Sequence, residues 1–366
     1  MKISILFLGK IGAGPRYSFE MAKALSERKD IELQIILSEY VDNRNDWEIL
    51  GMKNNVKLQF FKTYITKLEF LFTLFNIFKY RKIAQTIKIY NPDALYIPMI
   101  SLINPGILFF IKSIKIYYTL HDPIEHVGEK NSFVELIRKY ELKKSDKVIL
   151  LNNFFRGYVQ DHYKIHSNNI IVIPHASFFS NTFPSLNSEF KKKFLFVGRI
   201  EEYKGIGLLL EALSQIIETK KDIVLTIAGR GDLSKFKNQI SALSNNLLID
   251  NRWLTNEEID SLIQENDFVV LPYLDASQSG VVPVVFANKR FVIVTNKGAL
   301  SEQVPEGMGY VVNADAKSLA EKILKIYNLD FKEVTKINNN AYDYAFENLT
   351  WDASAKILMN SINKDK

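Results

Sequence analysis

Short apolar runs recur along the chain between longer amphipathic ones. Residues 2–8, 32–37, 94–97, 115–120 and 147–151 are compact runs dominated by Ile, Leu, Val and Tyr. Between them, apolar residues fall at helical spacing at about 16–28, 106–112 and 132–142. A continuous apolar run suits a strand covered on both faces, and a helix between two such strands is the crossover of a parallel sheet. The first half of the chain is therefore expected to be a helix-covered, Rossmann-like α/β domain.

The period breaks at residues 174–193, where Pro174, Pro184 and many Ser and Asn residues precede three lysines, and this stretch reads as a linker. A second series then starts. Strand-like runs at 194–197, 223–228, 247–250, 267–271, 291–295 and 309–312 alternate with helical ones at 207–219, 234–243 and 256–264. The apolar run 281–287 fits a buried helix or a strand, and beyond 316 the pattern is helical. The expected division is 1–180 for a first domain and 181–349 for a second. A terminal helix at about 350–366 is expected to return to the first.

Composition adds bounds to this picture. At 366 residues the chain exceeds the roughly 100–200 residues of one domain, and 47% hydrophobic with 24% charged residues is a globular balance. The absence of cysteine excludes disulfides, thiolate metal sites and cysteine nucleophiles, and suits a reducing, cytoplasmic setting. The apolar start leads into a glycine turn without a small-residue cleavage site, so a buried strand is expected there rather than a secretory signal.

Charge is unevenly placed. Residues 1–180 hold 25 basic and 17 acidic side chains, and the remainder 22 and 24. Residues 57–90 interleave Lys57, Lys62, Lys67, Lys79, Arg81, Lys82 and Lys88 with Phe60, Phe61, Tyr64, Phe70, Phe72, Phe75 and Phe78 and a single acid, Glu69. That pattern suits an anionic membrane surface, and equally a core helix whose lysines form a solvated end. The apolar stretches 68–78 and 107–111 fall far below the ~20 residues that span a bilayer.

Four glycine-containing turns carry candidate chemistry, because ligands of open parallel sheets bind beyond the carboxyl ends of the strands. The first is Gly9-Lys-Ile-Gly12-Ala-Gly14-Pro15, which lacks the dinucleotide fingerprint. The second, Gly198-Arg199 to Lys204-Gly205, offers a guanidinium fork and an ammonium to a diphosphate. The third is Ala228-Gly229-Arg-Gly-Asp232. The fourth, Asp275-Ala-Ser277-Gln278-Ser279-Gly280, has hydroxyls for an anion and a carboxylate for sugar hydroxyls. Tight turns, a solvated basic loop and an ordinary capped helix start are the structural alternatives.

With the last three of those motifs, Asn251-Arg252-Trp253-Leu254 between the third and the fourth, and Gly298-Ala-Leu-Ser-Glu302 after them, the chain resembles the retaining glycosyltransferases of family 4. The resemblance implies the GT-B fold, two Rossmann-like domains facing a central cleft, the first for the acceptor and the second for the donor. It implies that Arg199 and Lys204 clasp a donor diphosphate, with Gly198 and Gly229 in the donor loops. Ser277, Gln278, Ser279 and Gly280 would meet phosphate and sugar, and backbone near Arg252 and Trp253 would bracket the nucleobase. His121 would face the transferred sugar, and Gly12 to Gly14 would form a flexible glycine loop. The family commonly has glutamates three before and five after the last glycine of the fourth turn. This chain has Ser277 and Val285 there, with Asp275 as a neighbouring substitute for the first.

Further expectations combine the resemblance with the residues themselves. The substrate is a nucleotide-diphosphate sugar, with no resident cofactor and no metal, since there is no Asp-x-Asp motif. The acceptor is a saccharide, free or polyprenyl-linked, in cell-surface polysaccharide biosynthesis. The protein is expected in the cytoplasm, peripherally on the inner face of the membrane through residues 57–90, with no nucleic-acid partner. The competing reading is a non-catalytic nucleotide-sugar-binding partner or scaffold. An NAD-linked oxidoreductase lacks its fingerprint.

Overall fold

The computed structural model describes residues 1–124, 131–179, 184 and 191–365. Half of the expected linker, 180–183 and 185–190, lies outside the described residues. The chain divides into two compact units, Met1–Pro174 with Trp351–Lys366, and His175–Thr350.

The first unit is built on seven strands: β1 (Lys2–Phe7), β2 (Glu32–Ser38), β3 (Val56–Phe61), β4 (Ala94–Ile97), β5 (Lys115–Leu120), β6 (Lys147–Leu150) and β7 (Ile170–Val172). They run in the order β3-β2-β1-β4-β5-β6-β7, every pair parallel. Five of the six residues of β1 and all four of β4 are buried, as helices on both faces require. The strand order reverses between β1 and β4, which is the topological switch point.

The second unit repeats this plan with six strands: β8 (Lys193–Val197), β9 (Val224–Ala228), β10 (Leu247–Asp250), β11 (Phe268–Leu271), β12 (Phe291–Thr295) and β13 (Gly309–Val312). Their order is β10-β9-β8-β11-β12-β13, again all parallel, so the switch point lies between β8 and β11. Phe194, Phe268 and Phe291 on β8, β11 and β12 pack ring against ring, with centroids 4.2 and 4.9 Å apart.

Some elements differ from the pattern. The first helix runs Ala13–Ser26 and so begins inside the glycine turn. The run Val281–Ala287 is a helix. The stretch 234–243 splits into a 3₁₀ turn, Ser234–Phe236, and a short helix, Lys237–Ala242. The strand β3 and the helices Arg44–Leu50 and Arg156–Tyr163 carry too little periodicity to be seen in sequence. Residues 57–90 become most of β3 and two helices, Lys67–Leu74 and Ile77–Tyr90.

The terminal helix Trp351–Lys364 belongs to the first unit. Trp351 meets the ring of Tyr17 edge-on at 5.1 Å, Arg28 pairs with Asp352 at 2.6 Å, and Tyr117 donates its hydroxyl to Asp365 at 2.6 Å. Among the described residues no helix is long and apolar enough to cross a membrane.

Candidate active site

In the second unit every sequence-predicted residue sits at the carboxyl end of a strand. Gly198 follows β8, Gly229 follows β9, Arg252 and Trp253 come just after β10, and the loop to Gly280 follows β11. Since β8 and β11 flank the switch point, the loops of Arg199 and Gly280 border the crevice where such sheets bind ligands. The loops interlock without side chains in the way. Gly205 has φ +74°, and a Cβ there would run into the Pro272 carbonyl. Gly229 has φ +131°, and a Cβ there would meet the Gly198 carbonyl.

The two predicted cations are held very differently. Arg199 is exposed and pairs with Glu201 at 2.8 Å, with a longer contact to the Tyr203 hydroxyl at 3.4 Å. Lys204 is drawn inward, its ammonium 3.7 Å from the centroid of the Tyr273 ring and 4.9 Å from that of Tyr203. Burial pushes the Lys204 ammonium down to about 8, and the Arg199 charge adds to that, against Glu201. A desolvated lysine beside an arginine, over an aromatic face, is chemistry suited to holding an anion.

The fourth loop is a rigid frame. The Ser279 hydroxyl lies 3.1 Å from the Tyr273 hydroxyl and accepts from the Val281 amide. The Ser279 backbone exchanges two bonds with the Gln303 side chain, at 2.7 and 3.0 Å. Ser279 therefore shapes the loop. Ser277 is buried, Asp275 is half-buried, and Gly280 is exposed, where a Cβ would just touch the His175 imidazole at 3.7 Å. The Gln278 Oε1 is buried without a hydrogen-bond partner among the described residues. Val285 is fully buried in the core, so its helix position offers nothing to a ribose.

After β10 the side chains are largely committed. Arg252 pairs with Asp250 at 2.9 Å and with Glu258 at 2.7 Å. Trp253 is 74% exposed. Asn251 clips this loop to the third one, accepting from the Gly231 amide at 3.1 Å and donating to its carbonyl at 3.0 Å. Tyr273, Gln303 and Asn251 are site residues that sequence reasoning passed over. The Asn251 contact was foreshadowed only by its place within the motif 251–254, and the Gln303 contact only by its place directly after the motif 298–302.

In the first unit His121 stands directly after β5. Its Nε2 lies 2.8 Å from the Pro98 carbonyl, just beyond β4, and its ring packs edge-on against Tyr17 at 4.6 Å. A carbonyl can only accept, so Nε2 carries the proton, and burial lowers the basicity of the ring. The neutral ring leaves Nδ1 as its lone pair. Gly12, exposed at φ +88°, precedes the helix Ala13–Ser26. Gly14 is buried, where a Cβ would press on Met99 and Phe7 at 3.3 Å. These three residues belong to one unit, and the Arg199, Lys204 and Gly280 loops to the other.

Comparison with known proteins agrees with this arrangement. Residues 14–176 match the family described as Glycosyltransferase Family 4, and residues 191–328 match Glycosyl transferases group 1. An uncharacterized glycosyltransferase of Methanocaldococcus jannaschii is 27% identical over 178 residues, covering 46% of this chain and 44% of that protein. A second from the same organism is 26% identical over 149 residues, 37% of this chain and 36% of the relative, so the chain matches less than half the length of either. Among solved structures, a glycosyltransferase from Rickettsia africae superposes with a TM-score of 0.72 at 20% identity, over 99% of this chain and 97% of that one. Anabaena HepE, in complex with UDP, superposes with a TM-score of 0.75 at 16% identity over 100% of both chains. Two all-parallel domains with these neighbours define the GT-B fold. The chain belongs to the group 1 glycosyltransferases of family 4.

Proposed function

We propose that the protein transfers a sugar, with retention of anomeric configuration, from a nucleotide-diphosphate sugar to a saccharide acceptor, free or lipid-linked. The observation that carries this reading is the Lys204 ammonium held over the Tyr273 ring beside Arg199, at the strand ends flanking the switch point. Departure of a nucleoside diphosphate builds charge on its phosphates while the sugar gains oxocarbenium character. Lys204, fixed in a desolvated place, meets that charge without reorganising, and Arg199 leaves Glu201 to form a fork on the phosphate. The Gln278 Oε1 and the Asp275 carboxylate are acceptors for sugar hydroxyls. The His121 Nδ1 lone pair is a further acceptor for the donor sugar.

HepE was crystallised with UDP, which makes UDP-glucose the first donor to try. The test is release of nucleoside diphosphate by the purified protein with an acceptor extract. Lys204→Ala and Arg199→Ala are expected to lower turnover by roughly 10²–10³ each, the usual cost of one preorganised charge donor. Wild-type turnover in both variants overturns the reading. The absence of glutamates at Ser277 and Val285 favours one alternative, a partner or scaffold that binds the donor without turning it over. Donor binding by calorimetry with no turnover against any acceptor is its signature. Cytoplasmic action in cell-surface polysaccharide biosynthesis fits the proposed reaction and the cysteine-free composition.

A further inference from the structure

The first unit carries an exposed apolar and basic surface on residues other than His121 and the glycine turn. The helix Lys67–Leu74 starts with a full capping box, Thr66 with Glu69, yet only Thr73 of its eight residues is buried. Leu68, Leu71 and Phe72 lie at helical spacing and face outward together, and the ridge continues through Phe75, Ile77 and Phe78. Phe72, Phe75 and Phe78 are 71%, 85% and 82% exposed. Single exposed apolar residues are ordinary, but six within eleven positions on two consecutive short helices form a patch.

The next helix, Ile77–Tyr90, turns Tyr80, Ile83, Ala84 and Ile87 to the core, and the Tyr80 ring is seated directly on Gly106. That packing fixes which face remains outside. From Phe78 the outer stripe passes to Arg81 and Lys82, then to Gln85 and Lys88, at steps of three and four. There it borders an open cavity of about 500 Å³ lined by Arg81, Gln85, Lys88, Phe109, Phe110 and Lys112. Phe109 is exposed, and the lining holds three cations and no acid. Among the described residues none of Lys67, Arg81, Lys82, Lys88 and Lys112 forms an ion pair.

We infer that this face docks on an anionic lipid membrane, the aromatic ridge entering the headgroup boundary and the cavity of Arg81, Lys88 and Lys112 receiving a lipid phosphate. An apolar ridge alone would suit many occupants. Unpaired basic side chains along its flank select a surface that is apolar below and negatively charged above. The inference concerns membrane attachment and stands whether or not the chain transfers a sugar.

The test is flotation of the full chain with vesicles of phosphatidylcholine alone and of phosphatidylcholine mixed with phosphatidylglycerol. Binding is expected only to the anionic vesicles and is expected to fade at high salt. Arg81→Gln/Lys88→Gln/Lys112→Gln is expected to weaken it by roughly a hundredfold. Phe75→Ser/Phe78→Ser is expected to abolish it with an unchanged thermal midpoint, because both rings are outside the core. No flotation at low salt, or equal flotation on neutral vesicles, overturns the inference. So does a dimer seen by light scattering that Phe78→Ser dissociates while wild-type protein ignores the vesicles, since the patch would then join two copies of the chain.

Discussion

The ammonium of Lys204 lies 3.7 Å from the centroid of the Tyr273 ring, on a residue 69 positions further along the chain. This contact brings the turn after β8 to the loop after β11 and removes the lysine from water. Gly205 is what allows it, since the turn rests on the Pro272 carbonyl, the residue just before Tyr273.

Lys204 titrates near pH 8 in the free protein because burial disfavours its charged form. A bound diphosphate favours the charged form, so binding above pH 8 must take up a proton. Affinity for UDP is expected to be level below pH 8 and to fall by up to about tenfold per unit above it. Calorimetry in buffers of different ionisation enthalpy should show the proton uptake. In Lys204→Met both the uptake and the slope above pH 8 should vanish.

Two glycines with positive φ separate strain from collision. Gly12 has open space around it, so Gly12→Ala meets no neighbour and carries only the cost of its positive-φ backbone, roughly 1–3 kcal/mol. Gly205→Ala carries that cost and also forces the turn off the Pro272 carbonyl. The second variant is expected to lose more stability in urea than the first, and to lower UDP affinity by moving Lys204. Equal losses in the two would show that the Gly205 contact is soft.

Glu141 reports on the first unit alone. It is buried, accepts from the Asn104 amide at 2.7 Å, and burial pushes its carboxyl up to about 8. Between the unfolded value near 4.5 and the folded value near 8, the native state binds more protons than the unfolded chain. Its contribution is thus fully present below pH 4.5 and is lost as pH rises through 8, at up to about 1.4 kcal/mol per unit. Glu141→Gln keeps an acceptor for Asn104 and is expected to flatten stability across that window. The same slope in both proteins, followed by urea unfolding, would assign the titration to another group.

The strands were legible because a doubly covered strand must be apolar along its length, and such runs stand out wherever they lie. The runs at 2–8 and 267–271 needed no partner to be read as β1 and β11. Their loops were legible for a related reason: glycines, hydroxyls and cations gather where the backbone leaves a strand and meets solvent. The helix Lys67–Leu74 was not, because its aromatic residues read equally well as core or as surface, and only the fold decided that Thr73 is buried while Leu68, Leu71 and Phe72 stay exposed.

Local sequence by itself determined the two α/β units, the turn carrying Arg199 and Lys204, the loop ending at Gly280, and the missing carboxylates at Ser277 and Val285. Tertiary structure alone decided the partners: Tyr273 under Lys204, Gln303 on the Ser279 backbone, Asn251 on Gly231, and Asp250 and Glu258 holding Arg252. Periodicity records whether a side chain is buried. Which group it meets is set by strand order and loop packing across long stretches of chain, and no local pattern contains that.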